Sequence, residues 1–343
     1  MVITVTGAAG MLGSRLVDRL RADGRDVRGV DLRPAGTVSL IGDVRDPHAM
    51  AEATGGADAV IHCAAALPSY PADEIRSIIV DGTGTVLRAA ADARVPRVVH
   101  VSSTAVYGLP KTVPTPEDHP RRPVDTYSAA KAAAEEVAER HRADGMCLSV
   151  LRPKTFLGPG RMGLFAMLFE WADEGRNFPV LGRGDVRIQM FAVEDLVDAV
   201  ATVLAAPADI ANDTYNLAAA EFGTLREDFQ AVLDAAGHGK RVVSVPARPA
   251  LLALRGLQRL RLSPVYERLL HKLMADSYVS IDKARDRLGF APKRSNRDAI
   301  LATFDWWRQQ REPAGPATRP ARSGRTSRDP WRQGALSAAK VFF

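Results

Sequence analysis

The sequence is short of cysteine, of aromatic residues and of long apolar runs. Only Cys63 and Cys147 occur in 343 residues, too few for a disulfide framework, and they lack the CxxC spacing of a structural zinc site. Aromatic residues make up 6%. No stretch reaches the roughly 18 uninterrupted apolar residues of a membrane span. The start, Met1-Val2-Ile3-Thr4-Val5-Thr6-Gly7, reads as a strand entering a turn and not as a basic region followed by an apolar core. A cytoplasmic location is the expectation. With 27 glycines and 22 prolines, the chain is neither collagenous nor disordered as a whole, and no internal repeat is visible.

The formal charge of +6 is unevenly placed. Residues from Arg311 onward carry +5, and Arg248–Lys272 carry another +5, which leaves the rest of residues 1–310 at −4. The basic character is therefore local, and no nucleic-acid role is required. Arg248–Lys272 intersperses leucines with basic residues and reads as a pair of lid helices with solvated basic faces. Contact with a membrane or a lipid-linked substrate is the less favoured reading. Residues 312–343, rich in Pro, Gly, Ser, Thr and Arg, are expected to form a disordered basic tail.

Short β-branched runs at Val2–Val5, Val27–Asp31, Ala59–His62, Arg97–Val101 and Cys147–Leu151 alternate with helix-length segments at Met11–Ala22, Ala72–Ala93 and Ser128–Arg142. That alternation predicts βαβ units, hence an α/β fold with a doubly wound parallel sheet of Rossmann type. Beyond Arg152 the pattern predicts helices at Leu164–Glu174, Val193–Ala205, Thr224–Ala236 and Arg297–Arg308, and strands at Val186–Phe191 and Thr214–Leu217. The expected organisation is a dinucleotide-binding domain over 1–155, its sheet completed by later segments, and an interleaved, smaller, mixed substrate lobe over 156–311.

Gly7, Gly10 and Gly13 lie between the first strand and the first helix. One glycine allows the tight turn, one lets backbone approach a pyrophosphate, and one permits close helix–strand packing, while the helix start at Met11 and Leu12 offers N–H groups to phosphate. Asp31 ends the second strand, where a carboxylate accepts from ribose hydroxyls and repels a 2′-phosphate. NAD is the expected cofactor, although Arg33 nearby could accommodate the extra phosphate of NADP. Further on, Tyr127 and Lys131 stand at i and i+4, on one face of a helix. A tyrosine with a pKa of about 10 is a poor base at neutrality until a neighbouring cation stabilises its phenolate. Ser102-Ser103-Thr104 follows an apolar strand, at the sheet edge where doubly wound folds bind ligands.

Taken in order, the TGxxGxxG turn, the segment Ser102-Ser103-Thr104-Ala105-Val106-Tyr107-Gly108 and the YxxxK pair resemble the extended short-chain dehydrogenase/reductase family, and within it the NAD-dependent epimerase/dehydratases of nucleotide sugars. The resemblance covers about residues 1–310. It implies that Ser103 shares a hydrogen bond with the reacting oxygen, that Tyr127 is the general acid/base, and that Lys131 is its partner. It places Asp43 and Val44 at the adenine, and Cys63, Ala64 and Ala65 along the cofactor, with Arg152-Pro153 closing over the nicotinamide. Thr104, Thr155 and Arg187 become the expected substrate contacts, and no metal is expected. A homodimer through the Ala72–Ala93 and Ser128–Arg142 helices is implied as well.

The match departs from the family at several points. Thr104-Ala105 stands where dehydratases carry an acid pair, which disfavours a 4,6-dehydratase. Thr155 replaces an asparagine, Asp81 replaces another, and a clear Arg-Pro-Gly-Asp segment is missing before Ile281. The leading expectation is an NAD-dependent epimerase or oxidoreductase working on a nucleotide sugar through a keto intermediate. A ketoreductase or hydroxysteroid-type dehydrogenase acting on an apolar alcohol is the alternative, and a non-catalytic NAD-sensing or scaffold protein is a third.

Overall fold

A computed structural model describes residues 1–160, 165–247, 249 and 274–311. The basic segment 248–272, Arg248 and Lys272 included, lies outside the described residues except for Pro249, and so does the 312–343 tail. The chain divides into two compact units. One comprises Met1–Phe156, Val193–Ala218 and Val279–Pro292, and the other comprises Leu157–Ala192, Ala219–Tyr278 and Lys293–Phe343.

The first unit is built on β1 (Val2–Thr6), α1 (Met11–Ala22), β2 (Asp26–Asp31), β3 (Leu40–Ile41), α2 (Pro47–Thr54), β4 (Ala59–His62), α3 (Ala72–Arg76), α4 (Gly82–Asp92), β5 (Val98–Val101), α5 (Thr126–Ala143) and β6 (Leu148–Pro153). With the strand Thr214–Leu217 they form a seven-stranded sheet in the order Thr214–Leu217, β6, β5, β4, β1, β2, β3. Every pairing is parallel. This is the α/β doubly wound architecture that the alternation of strands and helices predicts. The central strands β4, β5 and β6 are buried along their whole length, which is why they read as near-continuous apolar runs. Val30, Val60, Val98 and Val150 meet Met50 of α2, Val86 and Leu87 of α4 and Ala138 of α5 in one core cluster. The helix Val193–Ala205 packs on α1 and on β5, and Arg19 of α1 pairs with Asp198 at 2.7 Å.

Two local features differ from the pattern-based reading. The segment Ala72–Ala93 is not one uniform helix, because Ser77–Asp81 winds as a π-helical turn between α3 and α4. At its end the Thr83 hydroxyl donates to the Ile79 carbonyl at 2.6 Å. The helix α2 carries its own start signal, Asp46 accepting from His48 N–H with Pro47 at the first position.

The second unit has its own core, in which Phe169 and Trp171 of the helix Phe165–Asp173, Phe229 and Val232 of the helix Leu225–Ala236, and Phe304 and Trp307 of the helix Asn296–Gln309 pack together. Its strands Phe178–Leu181 and Val242–Val245 pair in parallel. A strand expected over Val186–Phe191 shrinks to Phe191–Ala192. Arg187 and Ile188 instead make isolated bridges to two different segments, at Thr224 and Ser277, so no ladder can propagate along them.

Candidate active site

The turn after β1 is shaped by contacts that only glycine permits. Gly7 has φ +73°, and a Cβ there would lie 2.9 Å from the Ala64 backbone. A Cβ on Gly13 would lie 2.1 Å from the Gly7 carbonyl oxygen. The Gly10 N–H donates to that same carbonyl at 2.9 Å. Gly10 then caps α1 without any side-chain hydrogen bond. The first turn of the helix, with Met11 and Leu12, thus leaves its N–H dipoles for an anion.

Asp31 closes β2 beside this turn. Its Oδ2 accepts the Ala9 N–H at 3.1 Å and its Oδ1 accepts the Arg33 N–H at 3.0 Å. The Arg33 guanidinium reaches no nearer than 3.7 Å to the carboxylate and is half exposed. Each Asp31 oxygen keeps acceptor capacity for a ribose hydroxyl. Asp43 is drawn into a bidentate pair with Arg45, Nε on Oδ1 and Nη2 on Oδ2, and that guanidinium holds its carboxyl below the usual range. Val44 is buried against Gly82.

Cys63, Ala64 and Ala65 follow β4 along the glycine turn and are held there by a buried hydrogen-bond chain. Ala64 N–H donates to Thr6 Oγ1 at 3.3 Å. Thr6 Oγ1 lies 2.8 Å from His62 Nδ1, and His62 Nε2 lies 3.1 Å from Thr83 Oγ1. Thr83 spends its proton on Ile79 O, so it accepts from His62 Nε2–H, and Thr6 must donate to Nδ1. The chain therefore fixes one neutral tautomer, and burial pushes the imidazole down to about 3. Burial also pushes the Cys63 thiol up to about 12, which rules it out as a nucleophile at neutral pH.

The groups expected to react lie at the carboxyl ends of β5 and β6 and on α5. Ser103 caps a 3-10 turn over Thr104–Tyr107, its Oγ accepting Ala105 N–H at 3.1 Å, a bond that leaves the hydroxyl proton to donate elsewhere. Thr104 Oγ1 donates to Pro153 O at 3.4 Å, which ties this turn to the end of β6. A reciprocal capping box between Asp125 and Ser128 starts α5 and sets Tyr127 in its first turn. One turn on, Lys131 is 3% exposed and donates to Val101 O at 2.9 Å. Burial lowers its ammonium to about 8, against the opposing charge of Glu135. Thr155, just past β6, is exposed.

Arg187 belongs to the second unit, where its guanidinium stacks over Phe222 at 4.6 Å and Tyr278 at 5.4 Å and donates to Phe222 O at 3.4 Å. Among the described residues no group of His, Cys, Asp and Glu forms a metal site, and no helix is long and apolar enough to cross a membrane.

Sequence reasoning missed the polar groups beneath this site. Glu135 stands four residues after Lys131, the same spacing that singles out Tyr127 and Lys131, and continuing the helical period would have found it. His62 and His100 carry no such signal, and Arg152, expected with Pro153 over the nicotinamide, has its guanidinium buried on Glu135, the Tyr107 hydroxyl and the Glu117 carbonyl. His100 stacks on His62 at 5.4 Å, and both of its buried ring nitrogens are without a partner.

A parallel sheet with a glycine turn, a carboxylate ending its second strand and a Tyr–Lys helix defines a nucleotide-binding oxidoreductase-type fold. The NAD dependent epimerase/dehydratase family model matches residues 3–218, and the chain belongs to that family. It is 35% identical over 320 residues to a Sinorhizobium fredii protein named only as uncharacterized protein y4nG, covering 91% of this chain and 80% of the relative. It is 30% identical to the UDP-glucose 4-epimerase of Mycolicibacterium smegmatis, over 89% of this chain and 98% of that one. It is 29% identical to a 3 beta-hydroxysteroid dehydrogenase/Delta 5→4-isomerase of Mycobacterium tuberculosis, over 89% and 90%. The dTDP-glucose 4,6-dehydratase DesIV of Streptomyces venezuelae, solved with NAD bound, superposes with a TM-score of 0.72 at 26% identity, covering 91% of this chain and 98% of that one.

Proposed function

We propose that the protein is an NAD-dependent epimerase or oxidoreductase that acts on a nucleotide sugar through a keto intermediate. The observation that carries this is the placement of Lys131, buried, anchored to Val101 O and one helical turn from Tyr127. The glycine cradle suits a dinucleotide, since Gly7 and Gly13 let the turn and α1 pack closer than any Cβ would allow, and the α1 N-terminus has no side-chain cap to occupy its N–H groups. Gly7, Gly10, Gly13, Met11 and Leu12 would hold the pyrophosphate. Asp31 would take the adenosine ribose, Val44 with Asp43 the adenine, and Cys63, Ala64, Ala65 and Pro153 the remaining length. When bound, NAD supplies the acceptor and donor of hydride.

The residues of the chain handle the proton. The proposed role of the Lys131 ammonium is to stabilise a Tyr127 phenolate, the form in which a tyrosine acts as a base. Tyr127 then takes the proton of a ring hydroxyl while the Ser103 hydroxyl donates to the same oxygen. Thr104, with its hydroxyl turned onto Pro153 O, stands where an acid would be needed to eliminate water, so the expected outcome is epimerisation or simple oxidation. Thr155 and Arg187 are the proposed substrate contacts.

A second reading, a dehydrogenase or ketoreductase of an apolar alcohol, is favoured by the similarity to the hydroxysteroid enzyme. Assaying a panel of nucleotide sugars and of steroid and quinone-like ketones decides between them. An epimerase gives a new sugar isomer by NMR with no net NADH absorbance, whereas the second reading gives stoichiometric NADH change on an apolar substrate. Tyr127→Phe is expected to keep NAD binding and to abolish turnover. Full activity in that variant would refute the assignment of the base.

A further inference from the structure

We propose that Glu135 is a positioning residue, whose buried pair with Arg152 locks the loop carrying Ser103 to the helix carrying Tyr127 and Lys131. The proposal rests on the catalytic roles given above. Its geometry lies wholly within the first unit.

The Glu135 side chain is 1% exposed and its carboxylate is saturated with donors. Oε1 accepts the Ser102 hydroxyl at 2.5 Å and Arg152 Nε at 2.9 Å. Oε2 accepts Arg152 Nη2 at 2.7 Å and Arg121 Nη1 at 3.4 Å. On its other side the Arg152 guanidinium donates to the Tyr107 hydroxyl at 2.7 Å and to Glu117 O at 2.8 Å. Tyr107, 1% exposed, passes its own proton to Asn216 Oδ1 at 2.8 Å.

Ser102 and Tyr107 are the two ends of the segment that holds Ser103 and Thr104. Both ends are fastened to the same carboxylate–guanidinium pair. The carboxylate half of that pair sits on α5, one turn beyond Lys131 and two beyond Tyr127. The hydroxyl donor and the acid/base therefore come from separate elements whose spacing is set by this ion pair. Burial of both charges makes the tether directional as well as strong, because each lone pair has a fixed donor.

Glu135 also acts on the charge of Lys131. The titratable groups facing Lys131 are, besides its partner Tyr127, His62 on β4 and Cys63 just after it, His100 on β5, and Glu135 on its own helix. The two imidazoles are held neutral by burial and the thiol is protonated, so among these groups Glu135 is the anion that favours the ammonium. Removing its charge takes that support away and disfavours a charged Lys131.

The test uses the full chain saturated with NAD, comparing wild type with Glu135→Gln and Ser102→Ala. In both variants amide hydrogen exchange should rise over residues 103–107, with NAD affinity within about two-fold of wild type. On whichever nucleotide sugar the wild type converts, kcat should fall about ten- to hundred-fold with KM little changed, the scale of a misplacement of about 1 Å. The alkaline limb of the pH profile should move to lower pH in Glu135→Gln and stay in place in Ser102→Ala. Wild-type exchange over 103–107 in both variants, or an unmoved alkaline limb in Glu135→Gln, overturns the proposal. Should Glu135→Gln fail to fold, Ser102→Ala decides alone, and wild-type exchange and kcat there overturn it. Should no nucleotide sugar be converted, the proposed reaction fails while the exchange measurement still decides the tether.

Discussion

Replacing Gly13 by alanine separates a close-contact cradle from an ordinary surface turn. The new Cβ would sit 2.1 Å from Gly7 O and 3.0 Å from Ala8 Cα. Carbon and oxygen resist approach below about 3 Å, so α1 and the turn must part by about 1 Å. The displacement falls on a carbonyl that already accepts Gly10 N–H at 2.9 Å. Overpacking of this kind costs about 1–3 kcal/mol, and the weakened hydrogen bond adds about 1 kcal/mol. At about 2 °C per kcal/mol for a chain of this size, the melting temperature should drop by roughly 4–8 °C. A helix N-terminus withdrawn by that distance loses charge-assisted bonds to phosphate worth about 1.5–3 kcal/mol, so the NAD Kd should rise at least about tenfold. Differential scanning fluorimetry and calorimetric titration with NAD read the two quantities on one sample. Gly36→Ala is the control, because nothing lies within 4 Å of its Cβ, and it should change stability by less than about 0.5 kcal/mol. A Gly13→Ala protein with the melting temperature and NAD affinity of the wild type would refute the cradle.

Asp31→Ala removes the acceptor at the end of β2 and the partner of Ala9 N–H; NAD affinity should fall and the ratio of NADP to NAD affinity should rise, read by titration with each nucleotide. Stability should decline as pH falls below 6.5, because His62, held at about 3 in the folded state, is protonated only on unfolding. At pH 5 this amounts to about 2 kcal/mol for such a histidine, and His100 is lowered in the same direction. Asp228, raised to about 6 by burial, works the other way, since its stabilisation is present at low pH and is lost as pH rises through 6. Urea midpoints at pH 5 and 7 should therefore differ less in His100→Phe than in the wild type. The same substitution removes two buried ring nitrogens without partners and should leave stability at pH 7 unchanged or up to about 1 kcal/mol higher; a loss of 2 kcal/mol or more would show that His100 has a polar role.

The alternation of strands and helices was legible because the central strands of a parallel sheet are near-continuous apolar runs, while the short strand Leu40–Ile41 and the helix Pro47–Thr54 carried too little pattern to be read. Val193–Ala205 and Thr214–Leu217 fall where the periodicity puts them. The paired strands Phe178–Leu181 and Val242–Val245 escaped, since four-residue apolar runs among glycines carry little signal, and their partner lies more than sixty residues away. The strand expected at Val186–Phe191 failed for the opposite reason. Its alternation of apolar and polar residues is real, but Arg187 is held by Phe222 and Tyr278, and the backbone bonds of Arg187 and Ile188 go to separate partners.

The candidate site divides along the same line. Gly7, Gly13, Asp31, Tyr127 and Lys131 announce themselves because each acts within a local frame, a turn or one face of a helix. The chain Ala64–Thr6–His62–Thr83–Ile79 and the network Ser102–Glu135–Arg152–Tyr107–Asn216 each join residues from separate segments. No local period connects them, and His62, Thr83, Glu135 and Asn216 read one by one as ordinary strand or helix residues. Yet these two assemblies fix what the local motifs leave free. The first sets the distance from the β4 turn to the glycine cradle, and the second sets the distance from the Ser103 loop to α5. A relative that keeps Ser103, Tyr127 and Lys131 but loses Glu135 or Arg152 would retain the motif while losing the spacing, so the ion pair is a sharper criterion of a working site than the motif alone.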